Sequence, residues 1–409
     1  MRALVVPVLF ASLFTFACEK RDTSGETSGG PAKADDKMAD KTGDKVATAG
    51  KDDVILLGEV GSTSGSEATF GISTRNGIQM AIEEVNAAGG VKLADGTHKK
   101  LDVRVYDDQG KPEEAANAVT RLINQDHVKV ILGEVASSNS LAMAPKAQAA
   151  QVPMITPSST NEKVTEVGDY IFRVCFIDPF QGKVMAKFAW DTLKVKNVAV
   201  VKDNKSDYSL GLAKVFSEEF VKLGGKIVGE EAYSKGDTDF RAQLTALKGK
   251  KPEALYVPGY YTDVGVIARQ KSELGIKAPM MGGDGWESEK LFELGGSAIE
   301  GSYYSNHYSP DDPSPMVQNF GKAYGAKFDG KKPESLSALG YDAAMVAIEA
   351  IKRAKDLTGP SIKDEIAKTK NHPGVAGNIT LDDKRNAVKS AVVLQVKDGK
   401  AIYVATVNP

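Results

Sequence analysis

Six short polar stretches interrupt apolar runs along the chain: Ser62-Thr63-Ser64, Ser137-Ser138-Asn139-Ser140, "TPSSTN" (156–161), "KDNKSDY" (202–208), "PGYYTD" (258–263) and "GGDGWE" (282–287). Serine and threonine hydroxyls, with the free N–H groups of a helix start, suit a carboxylate or another anionic group. Asp284, set among glycines, suits an ammonium. Phe70, Tyr208, Tyr260, Tyr261 and Trp286 supply flat apolar walls. Ligand sites are mostly apolar with a few placed polar groups, and a buried charge is tolerated only when paired. The inventory therefore fits a zwitterion with an apolar tail. Each part also has a plainer reading. Serine and asparagine cap helices, Gly-Asp-Gly makes a good turn, and Phe70 and Trp286 suit a core.

Other chemistries lack their residues. The four histidines, His98, His127, His307 and His372, are scattered and form no HxxxH pair, so no zinc site is legible. Cys18 and Cys175 make neither a CxxC nor a disulfide framework. Cys175, in "IFRVCFID", reads as a small core residue rather than a nucleophile. There is no GxSxG, P-loop or GxGxxG, and no spacing marks a catalytic triad, so an enzyme is not expected. The composition, 42% hydrophobic and 26% charged with 40 glycines, is that of a globular protein. A formal net charge of -2 argues against a nucleic-acid partner. No metal or cofactor is implied.

The first 18 residues read as an export signal: Arg2, then "ALVVPVLFASLFTFAC", apolar and ending in small Ala17 before Cys18. Residues 19–52 contain almost no large apolar side chain and are expected to be a flexible tether. The Ala17-Cys18 junction resembles the lipobox of bacterial lipoproteins, with Thr15 where leucine is usual. That resemblance implies a lipid on Cys18 and an anchor at a membrane face. A plain signal peptide with an incidental cysteine is the other reading.

The polar stretches need elements to hold them. "VILLGEV" (54–60) reads as a buried strand, and the following helix places Ile78, Ala81, Ile82 and Val85 on one face before Gly89-Gly90. "LDVRVYDD" (101–108) alternates as a half-buried strand, "PEEAANAVTRLINQ" opens a helix with Pro112, and 128–132 is a strand. The order then returns: strand 197–204, a helix from Ser209 ending in Gly224-Gly225, strand 226–233, helix 238–249, and a strand within 253–265. Two βαβαβ units imply an α/β fold of two doubly wound, Rossmann-like lobes with parallel sheets covered by helices. In such sheets ligands sit beyond the carboxyl ends of the strands, where all six polar stretches fall.

The order of motifs from about 53 to 409 resembles the periplasmic branched-chain amino-acid (Leu/Ile/Val)-binding proteins, substrate-binding lipoproteins of ABC transporters with the type I periplasmic-binding fold. The resemblance rests on "GSTSGSEATFGISTRNGIQMAIEEVNAAGGV" (61–91), "YDDQGKPEEAANAVTRLI" (106–123), "ILGEVASSNSLAMAP", "PMITPSSTN", "YYTDVGVIARQKSELGIKAPMMGGDGW" (260–286) and "LGYDAAMVAIEAI" (339–351). It implies that Ser137 meets a ligand carboxylate and that Thr160 touches both carboxylate and ammonium. Ser158 would offer its carbonyl to the ammonium, with Ser159 beside it in the same turn. Tyr260 would reach across from the second lobe. Asp284 stands where the family usually has glutamate, and Phe70 and Tyr208 would wall the side-chain pocket. The positions of the disulfide found in some members are Gln109 and Ala136 here. The resemblance further implies lobe 1 at 53–176 plus 307–376, lobe 2 at 177–306 plus 377–409, three crossings between them, and hinge closure. The expected partners are an amino acid and the permease subunits of an ABC transporter. The chain would act as a monomer, outside the cytoplasm, held to the membrane only by its lipid. A sensory protein reporting an amino acid or small amide to a membrane receptor would have nearly the same sequence.

Overall fold

The computed structural model describes residues 54–409; the expected signal, Cys18 and the whole of the expected tether lie outside them. The first strand, β1 (Val54–Gly61), buries Ile55, Leu57 and Val60 in the sheet core. It leads to α1 (Ala68–Ala87), whose buried face includes Ile78, Ala81, Ile82 and Val85, as the spacing predicts. A short β2 (Val91–Lys92), then β3 (His98–Asp107), α2 (Pro112–Asn124), β4 (Ile131–Leu132), α3 (Ser137–Ala149), β5 (Met154–Thr156), α4 (Lys163–Glu166) and β6 (Ile171–Arg173) follow. They form a six-stranded sheet in the order β2-β3-β1-β4-β5-β6, parallel except for β2 against β3.

The pattern then repeats. After α5 (Asp178–Asp191) come β7 (Asn197–Asp203), α6 (Asp207–Lys222), β8 (Lys226–Tyr233), α7 (Arg241–Lys248), β9 (Ala254–Tyr256), α8 (Tyr261–Glu273), β10 (Met280–Gly282), α9 (Glu289–Gly295) and β11 (Tyr303–Asn306). The strands run β8-β7-β9-β10-β11, the counterpart of β3-β1-β4-β5-β6. Helices α10 (Pro315–Lys327), α11 (Ser335–Arg353) and α12 (Gly359–Ala367) come next. The closing hairpin, β12 (Ala391–Lys397) and β13 (Lys400–Val407), adds antiparallel strands beside β11 and completes a seven-stranded sheet.

The chain passes between the sheets three times: after β6, after β11 and before β12. The second passage brings α11 back against α1. The two helices approach so closely that a Cβ on Gly77 would lie 1.9 Å from the Ser337 carbonyl oxygen, and one on Gly340 would lie 2.4 Å from that of Thr74. Only glycine permits that backbone contact.

Three expected boundaries move for local reasons. The helix expected from Ser209 starts at Asp207, because the Ser206 hydroxyl caps it by accepting from the Ser209 N–H at 3.2 Å. The strand within 253–265 is only Ala254–Tyr256; Pro258-Gly259 breaks it, and Tyr261 already opens a helix. The helix expected from Thr238 begins at Arg241.

Candidate ligand-binding cleft

Each sheet reverses its strand order at its first strand, between β1 and β4 and between β7 and β9, while these strands stay parallel. Loops leaving the carboxyl ends at such a point diverge and open a crevice. Here the two crevices face each other. They enclose a small cavity lined by Phe70, Val135, Ser137, Ser158, Thr160, Tyr208, Tyr260, Asp284, Gly285 and Leu336. Larger open grooves lie elsewhere, but neither joins the strand ends of both sheets.

The first wall comes from the loops after β4 and β5. Strand β4 ends in Gly133 at φ +119°, where a Cβ would lie 2.1 Å from the Val60 carbonyl oxygen. That close turn aims 134–137 at the cavity. The four polar residues beyond it do not cap α3: its N-cap is Ala136, with no side-chain cap bond. Ser138 instead donates to Asp207 Oδ2 at 2.9 Å and accepts from the Asp207 N–H at 3.0 Å, bonding one sheet's loops to the other's. Asn139 donates to Asp108, and Ser140 pairs with Ser159 and the Glu134 carbonyl. Ser137 faces the cavity, with its oxygen accepting from the Asn161 N–H at 3.2 Å. On the neighbouring loop, the buried Ser158 hydroxyl has no hydrogen-bond partner, and the Thr160 hydroxyl has only the Asp178 carboxyl beside it. A buried hydroxyl left unpaired is costly, and here both lie at the cavity wall.

The facing wall is aromatic. Tyr208 and Tyr260 stack at 5.3 Å, and Phe70 meets Tyr260 edge-on at 5.6 Å and Tyr261 at 5.0 Å. Burial raises the phenols of Tyr208 and Tyr260 far above their usual range, so both stay neutral. Tyr208 accepts from the Gly285 N–H at 3.1 Å, which fixes the turn carrying Asp284.

Asp284 closes the cavity opposite the hydroxyls. Its Oδ1 accepts from Gln181 Nε2 at 2.9 Å, and its Oδ2 lies 2.9 Å from His307 Nε2. His307 is buried and stacks on Phe176 at 3.9 Å. Burial holds its pKa below the usual value, although Asp284 pulls the other way. Behind them, burial pushes the Asp178 carboxyl up to about 7, and Asp284 adds to the rise.

Bonds between the loops of the two sheets ring the cavity. Lys235 Nζ reaches Glu67 Oε2 at 2.7 Å and the Gly110 carbonyl oxygen at 2.8 Å. The Tyr261 hydroxyl donates to the Ser66 carbonyl at 2.8 Å, and Asn161 donates to that of Asp207 at 2.7 Å. Beneath the first wall, Ser62 Oγ lies between two buried acids, 2.8 Å from Asp108 and 3.2 Å from Glu134. Burial raises both carboxyls.

Seven of the eight expected site residues meet at this cavity: Phe70, Ser137, Ser158, Thr160, Tyr208, Tyr260 and Asp284. Ser159 does not. Its hydroxyl points behind the wall to the Glu134 and Val135 carbonyls, at 2.9 and 3.0 Å. Trp286, read from sequence as either wall or core, is core: it is fully buried and donates to the Val257 carbonyl at 2.9 Å. Cys18 lies outside the described residues. Sequence reasoning missed Val135, Gly285 and Leu336 on the wall and Gln181 and His307 behind Asp284. His307 was legible only as a histidine near the second passage between sheets. Among the described residues, no group of three or more acidic, histidine or cysteine side chains could hold a metal ion, and no helix is long and apolar enough to cross a membrane.

Comparison with known proteins agrees with this geometry. The family model described as "Periplasmic binding protein" matches residues 55–401. An amino acid binding protein of Pseudomonas aeruginosa is 30% identical over 355 residues, covering 85% of this chain and 91% of that one. Among solved structures, the leucine binding protein LivK of Thermotoga maritima is 40% identical with a TM-score of 0.83, covering 87% of this chain and 99% of that one. The branched-chain amino acid transporter substrate binding protein LivJ of Streptococcus pneumoniae, solved with isoleucine, is 36% identical with a TM-score of 0.81, covering 87% and 100%. These are proteins that bind solutes rather than transform them. With two facing α/β sheets and a cavity at their switch points, the chain belongs to the periplasmic binding protein family and, within it, resembles the Leu/Ile/Val-binding proteins.

Proposed function

We propose that the protein captures an apolar amino acid, branched-chain in the first instance, between two lobes, and delivers it to an ABC transporter. The lobes are 53–176 plus 307–376 and 177–306 plus 377–409, closing about the three passages between the sheets. The observation that carries the reading is the cavity's opposed polarity. The hydroxyls of Ser158 and Thr160, the first without any partner, and the Ser137 turn stand on one side, and Asp284 on the other. A zwitterion needs both. Phe70, Tyr208, Tyr260, Val135 and Leu336 leave an apolar niche without a fixed cation, which suits an aliphatic side chain. Ser137, Ser158 and Thr160 receive the carboxylate end, and Asp284 takes the ammonium. The names of the relatives point to the same ligand class.

Closure around the ligand stabilises the form a transporter recognises. The signal, tether and Cys18 fit export and a lipid anchor, so the protein works outside the cytoplasm as a tethered monomer. Calorimetry with the twenty amino acids tests the central claim. Binding of leucine, isoleucine or valine supports it, and no binding of any amino acid overturns it. Uptake of the bound amino acid by vesicles carrying candidate permease and ATPase subunits tests delivery. Mass spectrometry of the mature amino terminus tests the lipid on Cys18.

A further inference from the structure

We propose that Gln181 and His307 are positioning residues that orient Asp284 toward a ligand ammonium, so that the cleft selects amino acids over carboxylates lacking the amine. The proposal rests on the amino-acid reading above and goes beyond it by assigning the selectivity to two residues outside the cavity wall.

The Gln181 side chain is fully buried and all four of its hydrogen-bonding positions are used. Its Nε2 donates to Asp178 Oδ1 and Asp284 Oδ1, both at 2.9 Å. Its Oε1 accepts from the Ser305 hydroxyl at 3.0 Å and the Asp284 N–H at 3.4 Å. An amide has two donors and two acceptor sites, so nothing is spare and the group cannot flip without facing its NH₂ to a backbone N–H. His307 reaches the other oxygen of Asp284 at 2.9 Å, with its ring clamped against Phe176. A carboxylate only accepts, so this bond puts the imidazole proton on Nε2. Each carboxylate oxygen is thus held by one donor, and the plane of the group is fixed.

The type of donor matters as much as its place. A lysine or arginine at either position would orient Asp284 and also cancel its charge. A buried amide and a buried imidazole kept neutral by desolvation orient it and leave the charge for the ligand. Other charged groups do not take over that task. Lys389 acts on His307 electrostatically, but its Nζ makes no hydrogen bond, and Asp178 brings a second acid rather than a cation. The donors also sit where the chain changes sheets: Gln181 on α5 just after the first passage, His307 at the start of the second. The ammonium grip is therefore set from the hinge side and not by the wall that touches the ligand.

The test compares leucine with 4-methylpentanoate, the same carbon skeleton without the amine, by calorimetry and competition on the intact protein. His307→Phe keeps a ring against Phe176 and removes the donor; His307→Gln returns a donor near the Nε2 position. Gln181→Met removes the hub at similar length. His307→Phe and Gln181→Met should each weaken leucine about ten-fold or more while leaving 4-methylpentanoate unchanged, and His307→Gln should stay within about three-fold for leucine. Should 4-methylpentanoate bind too weakly to measure, the cycle with Asp284→Asn decides: once Asp284→Asn is in place, adding His307→Phe should cost under about two-fold. Parallel loss for both ligands, an equal cost with and without Asp284→Asn, or full leucine affinity in His307→Phe overturns the proposal. Melting temperatures measured alongside identify a variant that has merely failed to fold, and His307→Gln then carries the comparison. Failure of the unsubstituted protein to bind any amino acid refutes the functional reading instead, and so is told apart.

Discussion

Replacing Lys235 with methionine tests whether the bonds ringing the cavity set ligand affinity. Lys235 follows β8, and its Nζ joins Glu67 and the Gly110 carbonyl on the far side of the cleft. Glu67 is 2% exposed, whereas the Lys235 side chain is 32% exposed. Methionine keeps the apolar stem and removes the ammonium. Glu67 would keep only the Ser66 hydroxyl, at 3.3 Å. Removing one partner of a fully buried pair costs ~3–5 kcal/mol, and an exposed pair is worth ~0.2–1 kcal/mol. A pair with one end a third exposed falls between, on the order of 1–3 kcal/mol. In the proposed closure, an open cleft would return Glu67 to water, so the cost would fall on the closed form and appear as weaker binding. The expected loss in leucine affinity is about 5- to 150-fold.

The pH dependence has a definite sign. Burial already raises the Glu67 carboxyl, and Lys235 opposes that rise. Without Lys235 the carboxyl rises further, and its protonated form is buried without a charge penalty. The affinity deficit of Lys235→Met should therefore shrink as pH falls and widen as pH rises. Lys235→Met/Glu67→Gln should recover most of the loss, because no buried charge remains. Calorimetry at about 0.15 M salt from pH 5.5 to 8 measures both effects. A single variant with unchanged affinity, or a double variant as weak as the single, refutes the reasoning.

Glu59 on β1 is buried with both oxygens unpaired, and burial pushes its carboxyl up to about 8 against the pull of Arg75. The folded form then holds a proton that the unfolded chain sheds near its ordinary value of 4.5, so stability falls as pH climbs from there through 8. Glu59→Gln should flatten that fall in melting temperature; an identical slope in both proteins refutes it. Ser158→Ala removes a buried hydroxyl with no protein partner, so the ligand-free melting temperature should hold or rise while leucine affinity drops about ten-fold. Unchanged affinity would count against Ser158 as a ligand contact. Phe70→Ala should cost ~3–5 kcal/mol in urea unfolding and raise affinity for larger side chains relative to valine. Unchanged relative affinities for valine, leucine and phenylalanine would place the side-chain niche elsewhere.

What the sequence makes legible here is inventory, and what it hides is direction. The strands show because their runs are apolar on both faces, and the paired glycines after the two long helices mark the repeat. Loops at strand ends then have to converge, which brings Phe70, Ser137, Ser158, Thr160, Tyr208, Tyr260 and Asp284 to one cavity. Ser159 fails although it has the same chemistry as its neighbours. The chain bends at 157–158 and the Ser159 N–H donates to Thr156 Oγ1 at 2.9 Å, a turn that leaves Ser158 and Thr160 at the cavity and sends the Ser159 hydroxyl back toward Glu134. Trp286, open between wall and core in the sequence, is decided by a single tight turn after Asp284 that swings it under the wall to Val257. Gln181 and His307 carry no local signal, because their partner is brought to them only by the passages between sheets. A glutamine in a helix and a lone histidine say nothing until both are found on the same carboxylate. The serine and asparagine run at 137–140 makes the point most sharply. Its composition matched helix capping, but the cap fell to Ala136. The four side chains were thereby free for tertiary work: one faces the cavity, one bonds across the cleft and two tie the loops beneath it. A local rule broken at a strand end, with every polar group still placed, is what a binding site rather than a defect would leave behind.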